Sequence, residues 1–217
     1  MKRVAALCVL IALIGSIQGC SSRAHRSQGV YLLLDTSGAH AVEMKKAQDI
    51  IYFLLRTLQP GDTLFVSRID TGSFSEKDII ARARFDQRPS VTNAQKRSLQ
   101  KKIDAFLTSV NDNKYADISG GLLQAIESMN EADTGSKYIL IFSDLEEESA
   151  KGFGRDVPLA LNGFHVVVFN MTQLRDDKYD PKSYLERVGE WRQKTEKNGG
   201  QWRFINDMER LEAIMEP

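Results

Sequence analysis

The sequence predicts an α/β fold: a doubly wound, mostly parallel six-stranded sheet with helices on both faces. Three observations predict it. Strand-length apolar runs alternate with helix-length amphipathic segments, the pattern that builds a sheet covered on both sides. Tyr138–Phe142 is apolar throughout, as a strand buried on both faces requires. Four apolar runs stop on Asp or Asn: Val30–Leu34 on Asp35, Leu64–Ile69 on Asp70, Tyr138–Phe142 on Asp144 after Ser143, and Phe164–Phe169 on Asn170. In a parallel sheet those ends emerge at one edge, where ligands bind.

Each element has its own signal. The first strand is Val30–Leu34. A helix follows over about residues 41–58, with Met44, Ala47, Ile51, Leu54, Leu55 and Leu58 at helical spacing. Gln59-Pro60-Gly61-Asp62 stops it. The second strand is Thr63–Ile69. Ile79–Phe85 alternates, Ile79, Ala81 and Ala83 against Arg82 and Arg84, which suits an edge strand. The next helix runs over about 91–110. Its buried stripe is Leu99, Ile103, Phe106, Leu107 and Val110; Lys96, Arg97, Lys101 and Lys102 form its wet face. A helix over about 119–130 buries Leu122, Leu123, Ile126 and Met129. The fourth strand is Lys137–Phe142, a short helix or loop covers Val157–Leu161, and the fifth strand is Phe164–Phe169. Asp180-Pro181 reads as an N-cap with proline at the first helical position. That helix carries Leu185, Val188 and Trp191 and ends at Asn198-Gly199-Gly200. Trp202–Ile205 is a last strand, and a terminal helix carries Leu211 and Ile214.

The first residues are a targeting segment. Lys2 and Arg3 precede the apolar stretch Val4–Ile17, which is too short to span a bilayer comfortably. It ends in Ile17-Gln18-Gly19-Cys20-Ser21-Ser22, which resembles the lipobox of bacterial lipoproteins. That resemblance implies a lipidated Cys20 as the first mature residue. With Ser21 after it, the implied destination is the outer membrane, facing the periplasm. The chain then divides into a signal peptide (1–19), a lipidated cysteine with a short tether (20–28) and one domain (29–217). Cys8 leaves with the signal, so the mature domain has no disulfide and no cysteine metal site. Ser21–Gln28 reaches at most about 30 Å when extended, which keeps the domain close to its membrane. Once Lys2 and Arg3 are gone, 27 basic residues face 29 acidic ones. This balance offers no basic field for nucleic acid.

Three segments converge on the strand-end rim. Asp35-Thr36-Ser37-Gly38-Ala39 links the first strand to the first helix, so Asp35 and Ser37 can address one point. Asp144 ends the fourth strand. Tyr115-Ala116-Asp117-Ile118-Ser119-Gly120-Gly121 precedes the third helix. If winding reverses between the first and fourth strands, Asp35 and Asp144 are neighbours at the switch point. Carboxylates about 4 Å apart repel by roughly 4 kcal/mol at an effective dielectric near 20, so the rim calls for a cation, donated hydrogen bonds or a proton.

At these residues the chain resembles the von Willebrand factor type A family, in element order from Val30 to about Ile214. The family carries a metal-ion-dependent adhesion site at this rim: Asp-x-Ser-x-Ser after the first strand, a loop Thr, and an Asp after the fourth strand. Asp35, Ser37 and Asp144 match; Ala39 stands at the second Ser and Ala116 at the Thr, beside Asp117. The resemblance implies protein recognition rather than catalysis. Asp35, Ser37 and Asp144, with Asp117 through water, form the expected set for Mg²⁺ or Mn²⁺.

The expected function is a lipid-anchored module that binds an envelope or secreted protein through this degenerate site. The alternative is a metal-free interaction or scaffold lipoprotein. In that reading turn amides hold Asp35, Asp117 caps the third helix through Ser119 or Gly120, and Asp144 meets Ser37. A metal-assisted phosphohydrolase fits less well: Asp35 has no second Asp two residues on, and Ser37 has no His partner. Asp70 reads as a turn residue, His40 as solvated, His165 as packed or wet. Glu146-Glu147-Glu148 reads as a solvated run, and Trp191 and Trp202 read as core.

Overall fold

A computed structural model describes residues 27–36, 41–69, 74–110, 116–147, 158–169 and 181–215. Six strands, β1 (Gln28–Asp35), β2 (Thr63–Ile69), β3 (Ile79–Arg84), β4 (Ser136–Phe142), β5 (Phe164–Phe169) and β6 (Gln201–Ile205), form one sheet in the order β3-β2-β1-β4-β5-β6. Every neighbouring pair is parallel except β2–β3, which is antiparallel. The helices are α1 (Ala41–Thr57), α2 (Pro89–Ser109), α3 (Ile118–Glu131), α4 (Pro181–Lys197) and α5 (Met208–Met215). Strand order grows leftward from β1 to β3 and rightward from β4 to β6, so the winding reverses between β1 and β4.

The core follows from the apolar runs. Val30 to Leu34 and Ile139 to Ile141 are fully buried, because central strands meet helices on both faces. The edge strand β3 keeps its alternation: Ala81 is buried while Arg82 and Arg84 are exposed. Gly29 marks a close approach. A Cβ there would stand 2.5 Å from both Met129 Cε and Thr134 Oγ1. Gly199, at φ +84°, terminates α4 through Gly200 N–H to Thr195 O at 3.1 Å.

Several expectations shift. Helix α2 begins earlier than residue 91, with Pro89 in its first turn and Arg88 as N-cap. Phe106 and Leu107 on it are only half-buried. In α4 the inward stripe is Tyr184, Val188, Trp191 and Thr195, whereas Leu185 is 55% exposed. That stripe keeps helical spacing from Trp191, and Leu185 falls one residue off it. Residues 158–161 form a loop, and Val157 lies outside the described residues. His165 is half-buried and stacks on Tyr138 at 4.9 Å. Burial, with Arg203 nearby, holds its pKa below the usual histidine range. Trp191 and Trp202 are core residues.

The N-terminal ends of the strands form a foot opposite the rim. Gln28 N–H donates to Asp62 Oδ1 at 2.7 Å, and Gln59 N–H donates to Asp62 Oδ2 at 2.7 Å. One buried carboxylate thus ties the start of β1 to the α1–β2 turn. Gln28 Nε2 donates to Met215 O at 3.0 Å and Tyr138 Oη to Ile214 O at 3.3 Å, which seats α5 at the same end. No helix among the described residues is long and apolar enough to cross a membrane.

Candidate functional site at the strand-end rim

Parallel register places the rim residues. Leu34 pairs with Phe142, so Asp35 and Ser143 leave adjacent strands side by side. Ser143 Oγ donates to Asp35 Oδ2 at 2.6 Å. Both side chains are buried, Asp35 at 6% and Ser143 at 1% exposure. The first and fourth strands are therefore neighbours at the switch point, and Ser143 is one side chain that touches Asp35 there.

Asp144 is buried too, and its Oδ1 accepts from Glu146 N–H at 3.0 Å, closing a local turn. Leu145 sits in that turn at φ +62°, a conformation that costs a bulky residue about 1 kcal/mol or more. Three contacts hold it there. Its N–H donates to Ser143 Oγ at 2.9 Å, its carbonyl accepts from Trp191 Nε1 at 3.2 Å, and its side chain is buried. Arg187 Nε donates to Asp144 O at 3.0 Å and its guanidinium stands 4.0 Å from Glu146. Helix α4 thereby clamps the loop that follows β4.

The third contributor is the N-terminus of α3. Asp117 is its N-cap, with Oδ1 accepting from Gly120 N–H at 2.7 Å. Glu147 Oε1 accepts from Ser119 N–H at 2.7 Å. Lys194 Nζ donates to Ser119 Oγ at 2.8 Å and lies 4.3 Å from the Trp191 ring centroid. The rim is thus a chain of contacts from β1 through β4 and its loop to α3 and α4.

Of the residues expected here, Asp35, Asp117 and Asp144 are brought to this rim. Ser37, Ala39, His40, Asp70, Tyr115, Glu148, Asn170 and Cys20 lie outside the described residues. Ala116 is buried beside Asp117. Glu146 and Glu147 are exposed, as a solvated run should be, yet Glu147 caps α3. Sequence reasoning did not assign roles to Ser143, Arg187 or Lys194. Arg187 and Lys194 flank Trp191 at helical spacing, which was the available signal.

Mg²⁺ demands near-octahedral oxygens at about 2.0–2.1 Å. Each described rim carboxylate has one oxygen engaged by a donor of this chain, Asp117 and Asp144 by an amide of their own turn and Asp35 by Ser143. Its second oxygen keeps the lone pairs a divalent ion would need, and Ser37 lies outside the described residues. Among the described residues no group of three or more His, Cys, Asp or Glu is placed to hold a metal.

No protein-family model matches the sequence, and no curated protein resembles it in sequence. Solved structures do superpose. A von Willebrand factor type A protein from Catenulispora acidiphila aligns at TM-score 0.55 and 14% identity over 87% of this chain. The alignment spans only 41% of that protein's length. An aerotolerance-related membrane protein from Bacteroides fragilis aligns at TM-score 0.50 and 12% identity, covering 87% of this chain and 96% of that one. A manganese-loaded TRAP protein from Plasmodium vivax aligns at TM-score 0.49 and 13% identity over 88% of this chain and 73% of that one, too loosely to carry anything about ligands. Identities this low establish architecture alone, and the architecture is that of a von Willebrand factor type A domain.

Proposed function

We propose that the chain is a lipid-anchored envelope module that binds a partner protein at the strand-end rim without a resident metal. The observation that carries this reading is the hydrogen bond from Ser143 Oγ to Asp35 Oδ2 at 2.6 Å. It supplies from within the chain a donor to the carboxylate that a metal would otherwise engage. The internal amide bonds to Asp117 and Asp144 support the same reading. What the rim offers a partner is a preformed polar surface with exposed Glu146 and Glu147.

Anchoring at Cys20 gives this surface an orientation. The tether enters at Gln28, and the rim begins at Asp35, the eighth and last residue of β1. At about 3.3 Å per step the rim stands roughly 23 Å beyond the point of entry, directed away from the membrane. In this reading the domain sits on the outer membrane and meets an envelope or secreted protein from the periplasmic side.

Binding rather than turnover is the better reading. Ser119 and Lys194 touch, but Ser119 is 4% exposed and its amide is already bonded to Glu147. A nucleophile needs an open approach for its substrate. The test is photo-cross-linking in intact cells from a reactive side chain at position 146. A discrete protein adduct that survives chelator is expected. Adducts formed only from positions away from the rim would refute the site, and loss of the adduct in chelator would refute the metal-free clause.

A further inference from the structure

A second charged surface reaches toward the opposite end of the sheet. Helices α1 and α2 leave a cleft of about 300 Å³ between them. Its cations are Arg56 from α1 and Lys96 and Arg97 from α2; Asn93 and Gln100 extend the α2 side, Leu55 is apolar, and Tyr52, also in the lining, donates its hydroxyl to Asp104 Oδ1 at 2.8 Å. Asn93, Lys96, Arg97 and Gln100 recur at helical spacing, so one strip of α2 faces the cleft. No carboxylate lines it among the described residues. Six other arginines pair with carboxylates: Arg68, Arg82, Arg88, Arg187, Arg192 and Arg210. Among the described residues Arg56 and Arg97 form no such pair.

Lys96 is fixed in place. Its ammonium donates to Leu58 O just beyond α1 and lies 5.3 Å from the Phe85 ring centroid. Burial lowers its pKa, opposed by the charge of Asp62. Asp62 is the residue that binds Gln28 at the start of β1. The Lys96 end of the cleft therefore lies near the foot of the sheet, close to where the tether joins the domain.

We propose that this cleft docks on anionic phospholipid headgroups of the membrane that carries the anchor. The inference rests on the lipid-anchor reading above and goes beyond it. Two guanidiniums and an ammonium suit phosphate, and the arginine fork binds it bidentately. Position selects the lipid as its source: a tether of at most about 30 Å holds this end of the domain against the bilayer. Docking fixes the domain upright, foot on the headgroups and rim outward.

The test uses the full lipidated chain in vesicles of phosphatidylcholine alone or with one part in three phosphatidylglycerol. A dye is placed at Ser90→Cys, exposed in the first turn of α2 and outside the cleft, and in a second sample at Glu146→Cys on the rim. Energy transfer to headgroup-labelled lipid reports the approach of each. A basic side chain near an anionic surface favours the docked state about fivefold, so the three cations favour it roughly a hundredfold. Transfer from position 90 is expected to rise in anionic vesicles while transfer from 146 stays low. Arg56→Gln with Arg97→Gln is expected to reduce the docked-to-free ratio roughly thirtyfold without lowering the melting temperature. Flotation without this charge-dependent approach, or an unchanged double variant, overturns the docking proposal alone. Failure to float with either vesicle overturns the anchor and the docking together. A soluble hexaglutamate peptide that binds with the same arginine dependence, while anionic vesicles do not, overturns the lipid in favour of an acidic protein segment.

Discussion

Asp117 illustrates how one carboxylate at the rim can be structural. Its bond to the Gly120 amide makes it a helix cap. Asp117→Ala should cost about 1 kcal/mol and Asp117→Asn only a few tenths, read by urea denaturation. Ser143→Ala removes the donor to buried Asp35 and should cost roughly 1–3 kcal/mol in the same assay. Tyr31 carries the opposite expectation. Its hydroxyl is buried without a well-formed hydrogen bond among the described residues, with Ser67 and Ser128 near it, and burial pushes its pKa up to about 12. Since the unfolded chain loses this proton first, near pH 10, stability present below pH 10 is lost as pH rises toward about 12. Tyr31→Phe should therefore be neutral or stabilising at pH 7 and should blunt the alkaline loss. The Asp117 cap was legible, because an acidic residue three positions before a glycine opens an apolar helix. The Ser143–Asp35 bond was not: it joins residues 108 apart and exists only once β1 and β4 are in register.

At the scale of elements, α4 carries the clearest contrast. Tyr184 is fully buried and donates to Phe169 O at 3.2 Å, whereas Leu185 is 55% exposed. Tyr184→Ala should cost roughly 3 kcal/mol or more and Leu185→Ala less than about 0.5 kcal/mol. Apolar character alone pointed to Leu185; the tyrosine, which can serve either face, is set inward by its spacing from Val188 and Trp191. Strand β5 adds a pH response. Its His165 has a lowered pKa, so as pH falls below 6.5 the unfolded chain takes up the proton first and stability declines. His165→Phe retains the ring on Tyr138 and should flatten the stability profile between pH 7 and 5. An unchanged slope would show that His165 does not set it.

At the scale of the molecule, the doubly wound sheet was legible because parallel strands and crossovers leave few arrangements, whereas the reversal between β1 and β4 stood only as a condition until the strand order supplied it. The antiparallel edge announced itself through the alternation of Ile79 to Arg84. Less legible was the division of the molecule into two ends. The rim collects carboxylates engaged by the chain's own donors, while a cleft near the foot brings together Arg56, Lys96 and Arg97, with no carboxylate in its lining among the described residues. Sequence order scatters Arg56, Lys96 and Arg97 over two helices, and only packing of α1 on α2 unites them.

The account depends most on a rim that works without metal. Calorimetric titration of the full chain with Mg²⁺ and then Mn²⁺ tests this directly, with Asp144→Ala as the companion. The account predicts no saturable heat for either ion and no change on substitution. Saturable binding that disappears in Asp144→Ala would contradict it.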